Sequence, residues 1–97
     1  MADTLTDKVK RKLDITWDDA GTNSRIDDIM NNAKTTLAFK LGVADSSVFE
    51  QPGQEQQLFL AYCFYEWNHA VDDFDNNYRN EILQVRMKAE VNADVEG

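Results

Sequence analysis

The chain has 97 residues, 42% of them hydrophobic, with 10 Lys plus Arg against 18 Asp plus Glu and a net charge of -8. That length predicts a single domain over residues 1–97, able to bury roughly 60–65% of its unfolded surface, and the hydrophobic share excludes disorder throughout. The sign of the charge argues against gripping nucleic acid and against lying on an anionic membrane.

A lone cysteine, Cys63, cannot make an internal disulfide, and the start MADTLTDK lacks the apolar core of a signal peptide. The longest apolar run, Leu58–Tyr65, is too short to span a bilayer. These features lead us to expect a soluble protein kept inside the cell. From Leu41 to Asn77 there is no Lys or Arg, while Asp45, Glu50, Glu55, Glu66, Asp72, Asp73 and Asp75 all fall there. One acidic face is expected from that interval.

In chain order, the first helix is predicted near Leu5–Leu13, opened by Thr4 with Asp7 three residues on, as in a capping pair. Leu5, Val9 and Leu13 form its thin apolar edge, and Lys8, Lys10, Arg11 and Lys12 are the only basic cluster. A solvated face explains that cluster; the sharper alternative is contact with an acidic neighbour. Asp14–Ser24 is expected to be a connector, with Trp17 as a plug at the end of the core and Gly21, Thr22 and Asn23 as turn residues. A second helix should start near Thr22–Ser24 and end at Leu41, with Gly42 as its cap. Ile26, Ile29, Met30, Ala33, Leu37 and Leu41 line its buried face, which leaves Phe39 off the stripe as a candidate subunit contact. Val43–Gly53 is a loop in which Ser47 and Glu50 offer caps for one turn, while Val48 and Phe49 reach the core.

The stretch Leu58–Val71 is the most apolar part of the chain. A 3–4 spacing continues from Leu60 through Phe64, Trp67, Val71, Phe74, Tyr78, Ile82 and Val85 to Ala89, which predicts one apolar stripe. A single helix from Gln54 to Asn92 would be about 58 Å long, too long for a chain whose radius of gyration should be about 13 Å. Two helices are therefore predicted, Gln54–Asp72 and Asn76–Val91, broken at the weak helix formers Asp72, Asp73, Asp75, Asn76 and Asn77. The ordered part should be about residues 4–91, with 92–97 a frayed polar tail. The expected architecture is all-α, a small bundle of about four helices around a central apolar helix.

Few residues suggest chemistry. Asp73, Asp75 and Asn77 copy the first three ligands of a calcium loop, but Tyr78 replaces the required glycine and Gln84 the bidentate glutamate. Glu66 and His69 form half of a di-iron motif whose other half needs a second histidine, and His69 is the only one. Cys63 sits in an apolar run that should raise its pKa and leave it inert. Neither catalysis nor a metal or cofactor is expected.

The landmarks ITWDD, RIDDIMNNAKTTLAFKLG and FLAYCFYEWNHAVDDFDNNYRNEILQVR span about Thr4 to Val91. In order, spacing, length and acidity they resemble the head–tail connector (adaptor, head-completion) family of tailed phages and prophages. The resemblance implies a small, helical, non-enzymatic protein of the virion, made in the bacterial cytoplasm, which docks as a ring beneath the portal during head completion and DNA packaging. It implies as partners copies of itself, a portal protein and a further connector or tail-completion protein, with DNA passing through the ring and no membrane. It carries over no residue roles. The contacts nominated from the residues themselves are Phe39, the basic residues Lys8, Lys10 and Arg11, and Arg86 with Lys88 near a C-terminus free to order on a partner. The competing reading is a small acidic regulator that binds a host protein by mimicking nucleic acid.

Overall fold

Several helix ends fall where the chain offers partners to the backbone groups that a helix leaves unpaired. The computed structural model describes residues 4–96 except 18 and 44, with the backbone alone from residue 91 onward. It contains α1 (Leu5–Lys12), α2 (Ala20–Leu41), α3 (Gln54–Trp67), α4 (Phe74–Asn77) and α5 (Arg79–Glu96), with 3-10 turns at Ser46–Glu50 and Val71–Asp73. No strand occurs among the described residues, so the all-α class holds.

The start of α1 is a capping box: Asp7 N–H donates to Thr4 Oγ1 at 3.1 Å and Thr4 N–H donates to Asp7 Oδ2 at 3.3 Å. Helix α2 starts earlier than its sequence suggested, at Ala20, because Asp19 accepts the Thr22 N–H at 2.9 Å and so caps the end itself. Gly21, Thr22 and Asn23 are then its first turn rather than a loop. The turn at Ser46–Glu50 is capped by Asp45, which accepts the Ser47 N–H at 3.0 Å, and not by Ser47 or Glu50.

Three helices close in the same way. After α2, Gly42 takes the left-handed conformation, φ 69°, and Val43 N–H reaches back to the Ala38 carbonyl at 3.1 Å. After α1, Asp14 occupies that position at φ 59°, with Ile15 N–H bonded to Lys10 O at 2.9 Å. After α3, His69 occupies it at φ 58°, with Ala70 N–H bonded to Tyr65 O at 2.8 Å. Each is a Schellman closure, and only one of the three has the glycine that makes it cheap.

The third closure locates the break in the long apolar stretch. It falls at Asn68–Ala70, ahead of the Asp/Asn cluster where weak helix propensity had placed it, because Asn68 Nδ2 donates to the Phe64 carbonyl at 2.8 Å and His69 turns the chain. Beyond it, Phe74 is fully buried, with its ring edge-on to Tyr62 at 5.1 Å and to Tyr65 at 5.8 Å and stacked on Tyr78 at 5.0 Å. That aromatic cluster pins the single turn of α4. The α5 backbone stays helical to Glu96, past the predicted end at Val91, so residues 92–96 continue the helix.

Helix α3 packs against α1, α2 and α5, and the turn Ser46–Glu50 lies on it as well. Its buried face is Leu58, Phe59, Ala61, Tyr62 and Cys63. The predicted stripe is only the edge of that face here: Leu60 and Trp67 pack against the core partly buried, while Phe64 is exposed, with Lys12 Nζ 5.8 Å from its ring centroid. The stripe holds after the break, where Phe74 and Val85 are fully buried and Tyr78 and Ile82 pack against the core. A break of three residues resets the helical phase, so one spacing cannot describe both sides.

Phe49 is fully buried and stacks on Phe59 with centroids 5.1 Å apart. Gln56, a buried polar residue on α3, donates to the Phe49 carbonyl at 3.0 Å and accepts from Lys8 Nζ at 3.5 Å, which joins α1, α3 and the 3-10 turn. The resulting molecule is flat, with extents of 46 × 32 × 17 Å and a radius of gyration of 14.0 Å.

Candidate interaction surface

Large apolar side chains outside the core are the first place to look for a binding surface. Trp17, Phe39, Phe64, Leu83 and Met87 are exposed. Trp17 is not the predicted core plug. It is 51% exposed, and its Nε1–H donates to Thr22 Oγ1 at 3.2 Å, which holds the indole against the first turn of α2.

Phe39 is the most exposed of the five, at 87%. It projects from the last turn of α2, where the predicted buried face already uses Leu37 and Leu41. Helix α5 runs alongside, and the two helices enclose a shallow groove of about 270 Å³. Phe39, Ile82 and Leu83 supply its apolar lining, and Lys40, Arg79 and Arg86 its cations. Asp75 completes it and is held by Lys40 at 2.9 Å. Met87 is exposed one turn beyond Leu83 on the same face of α5. The volume falls short of the roughly 300–1,000 Å³ usual for a small-molecule site, and the openness of the groove suits a protruding side chain from another protein.

Of the nominated contacts, the structure brings together Phe39 and Arg86, with Arg86 Nε 3.9 Å from Glu90 on its own helix. Lys88 is elsewhere: it pairs with Glu55 at 2.8 Å and, with Gln54 donating to Gln84 at 3.0 Å, ties the start of α3 to α5. Lys8 reaches Gln56, and Lys10 and Arg11 lie with it on α1, away from the residues that line the groove. Lys40, Arg79, Leu83 and Met87 escaped the sequence reading. The available signal was that Leu83 and Met87 stand four apart and off the stripe through Ile82 and Val85.

The acidic interval is less uniform than its sequence. Glu55 and Asp75 are paired with lysines from outside it. Burial of Glu66 raises its pKa, partly offset by a hydrogen bond from Asn32, and its Oε2 has no partner among the described residues. Asp45, Glu50, Asp72 and Asp73 are exposed.

The residues that looked like a metal loop take different partners: Asp75 holds Lys40, and Asn77 Nδ2 donates to the Tyr65 hydroxyl at 2.8 Å. His69 closes α3 and faces Arg25, whose Nη2 is 3.4 Å from Nε2. Among the described residues no three His, Cys, Asp or Glu side chains stand together as a metal would require. Cys63 is buried, and burial, with a smaller push from Glu66, raises its thiol to about 12. No described helix is long and apolar enough to cross a membrane.

No family model, curated protein or solved structure matches this chain. The surface itself must therefore carry the functional reading.

Proposed function

We propose that this chain is a structural, non-enzymatic head–tail connector of a tailed phage or prophage, which oligomerises as a ring beneath a portal during head completion. The observation that carries this reading is the exposed apolar set Phe39, Leu83 and Met87 around a groove lined by Lys40, Arg79 and Arg86 on a protein of net charge -8. A side chain as exposed as Phe39 loses water contact only by meeting another molecule, and an open groove favours a protein over a metabolite. In this reading α3 is the central apolar helix of a small bundle of about four helices, which leaves the outer faces of α2 and α5 for neighbours. A further connector or tail-completion protein would dock below the ring, and acidic side chains on its lumen would repel passing DNA phosphates.

The rival reading, an acidic regulator that mimics nucleic acid, fits the net charge of -8. It is weakened by Lys88 and Lys40, which pair with Glu55 and Asp75 and interrupt the array of free carboxylates that such a mimic needs. Co-expression with a phage portal protein from the same genome tests the proposal. The expected result is a ring of this chain on the portal in electron-microscopic class averages. Absence of portal binding, with one-to-one binding to a host nucleic-acid-binding protein, would replace it by the regulator.

A further inference from the structure

Two exposed aromatic patches sit at opposite ends of α2, and their surroundings differ in charge. At the C-terminal end, the groove that holds Phe39 is flanked by Lys40, Arg79 and Arg86. Arg79 forms no ion pair among the described residues, and Asp75 is already occupied by Lys40. At the N-terminal end stands Trp17, flanked in the chain by the exposed carboxylates Asp14 and Asp19. Of the cations nearest in sequence, Lys12 lies over the Phe64 ring. Hydrogen bonds from Thr22 hold the Asp19 carboxyl below its usual range, so this end stays anionic.

From Thr22, which holds the Trp17 indole, to Phe39 the two patches lie about 26 Å apart along α2. They cannot meet within one chain, and a reciprocal two-fold pair that used both at once would stop at a dimer rather than repeat. We infer that Trp17 of one copy seats in the Phe39–Leu83 groove of the next, in a head-to-tail contact that repeats around an assembly. The groove has room for one aromatic side chain. Its Arg79, with Arg86 more loosely held by Glu90 at 3.9 Å, is the charge complement of the exposed carboxylates Asp14 and Asp19 that accompany Trp17. Contacts between two different patches propagate and close into a ring when the rotation between subunits allows. One aromatic anchor buries far less than the roughly 1,200 Å² of a stable interface, so the isolated contact is weak and needs a template to complete the ring. This inference rests on the ring-subunit reading and specifies its interface.

Mixing two variants tests it. Trp17→Ala removes the knob and keeps the groove; Phe39→Glu spoils the groove and keeps the knob. Both positions are exposed enough for the fold to survive, which circular dichroism checks. In sedimentation up to millimolar concentration, the wild type should self-associate and each variant alone should lose at least about tenfold in association. An equal mixture should form one-to-one pairs and nothing larger, because one intact knob meets one intact groove. Leu83→Glu should behave as Phe39→Glu does. Failure of the mixture to pair would overturn the inference, as would a wild type monomeric throughout the range. Self-association indifferent to all three substitutions would overturn this interface and leave the ring reading standing, since that is judged on the portal.

Discussion

Asp14 and His69 occupy left-handed positions, φ 59° and 58°, which a side chain with a β-carbon enters at a cost of about 1 kcal/mol. Asp14→Gly and His69→Gly relieve that cost and lose part of the gain to the larger entropy of an unfolded glycine chain. Each should stabilise the protein by roughly 0.5 kcal/mol, read as a higher denaturant midpoint at unchanged slope. Neither closure was legible in advance, because Gly42 announces itself at a helix end while Asp and His do not. Cys63 was legible: eight apolar residues in a row predicted a buried thiol, and burial holds it at about 12 against an ordinary 9.0. A folded pKa above the unfolded one stabilises the protein fully below pH 9 and is lost as pH rises from there towards 12. Three units are worth about 4 kcal/mol at most. Stability should thus fall between those values, with a shallower fall in Cys63→Ala, where raised Tyr62 still contributes. At neutral pH a thiol reagent should label Cys63 only as fast as the protein unfolds.

Between elements, Arg25 joins α2 to the end of α3. From α2, its Nη2 donates to the Trp67 carbonyl at 2.8 Å, and its guanidinium lies 4.1 Å from the Trp67 ring centroid. A cation thus caps the C-terminus of α3, where the helix dipole is negative and the chain turns towards α4. A charged hydrogen bond contributes about 1.5–3 kcal/mol and an exposed cation–π contact about 0.5–1, each discounted here because Arg25 is exposed. Arg25→Ala should cost roughly 1–2 kcal/mol in equilibrium unfolding, and Arg25→Lys should recover less than half, since an ammonium cannot stack flat on the indole. Full recovery by lysine would mean that charge alone holds the join. This contact explains why the break was misplaced from sequence. Propensity pointed to Asp72–Asn77, whereas the chain turns where Asn68, His69 and Arg25 together satisfy the last carbonyls. Long-range partners of this kind leave no local spacing to read, while the helices themselves, with their apolar periodicity and capping residues, do.

For the whole molecule, two electrostatic effects of opposite sign act on self-association, and their ranges decide which one salt removes first. The net charge of -8 acts between whole subunits, across a body up to 46 Å long. The attraction between Arg79 or Arg86 and an incoming carboxylate acts over a few ångströms. At about 0.01 M salt the screening length is about 30 Å, so whole-body repulsion persists; at 0.15 M it is about 8 Å, and most of it is gone while close pairs survive. The apolar contact of Phe39, Leu83 and Met87, at about 25 cal/mol for each Å² removed from water, does not weaken over that range. It must also offset several kcal/mol of lost rigid-body freedom, which keeps self-association of the isolated protein weak. Association measured by sedimentation should therefore strengthen from low to physiological salt and level off, with close pairs weakening only towards 1 M, where screening reaches about 3 Å. A tight closed assembly at low salt that dissolves steadily as salt rises would show that charge pairing, rather than apolar contact, holds the subunits together.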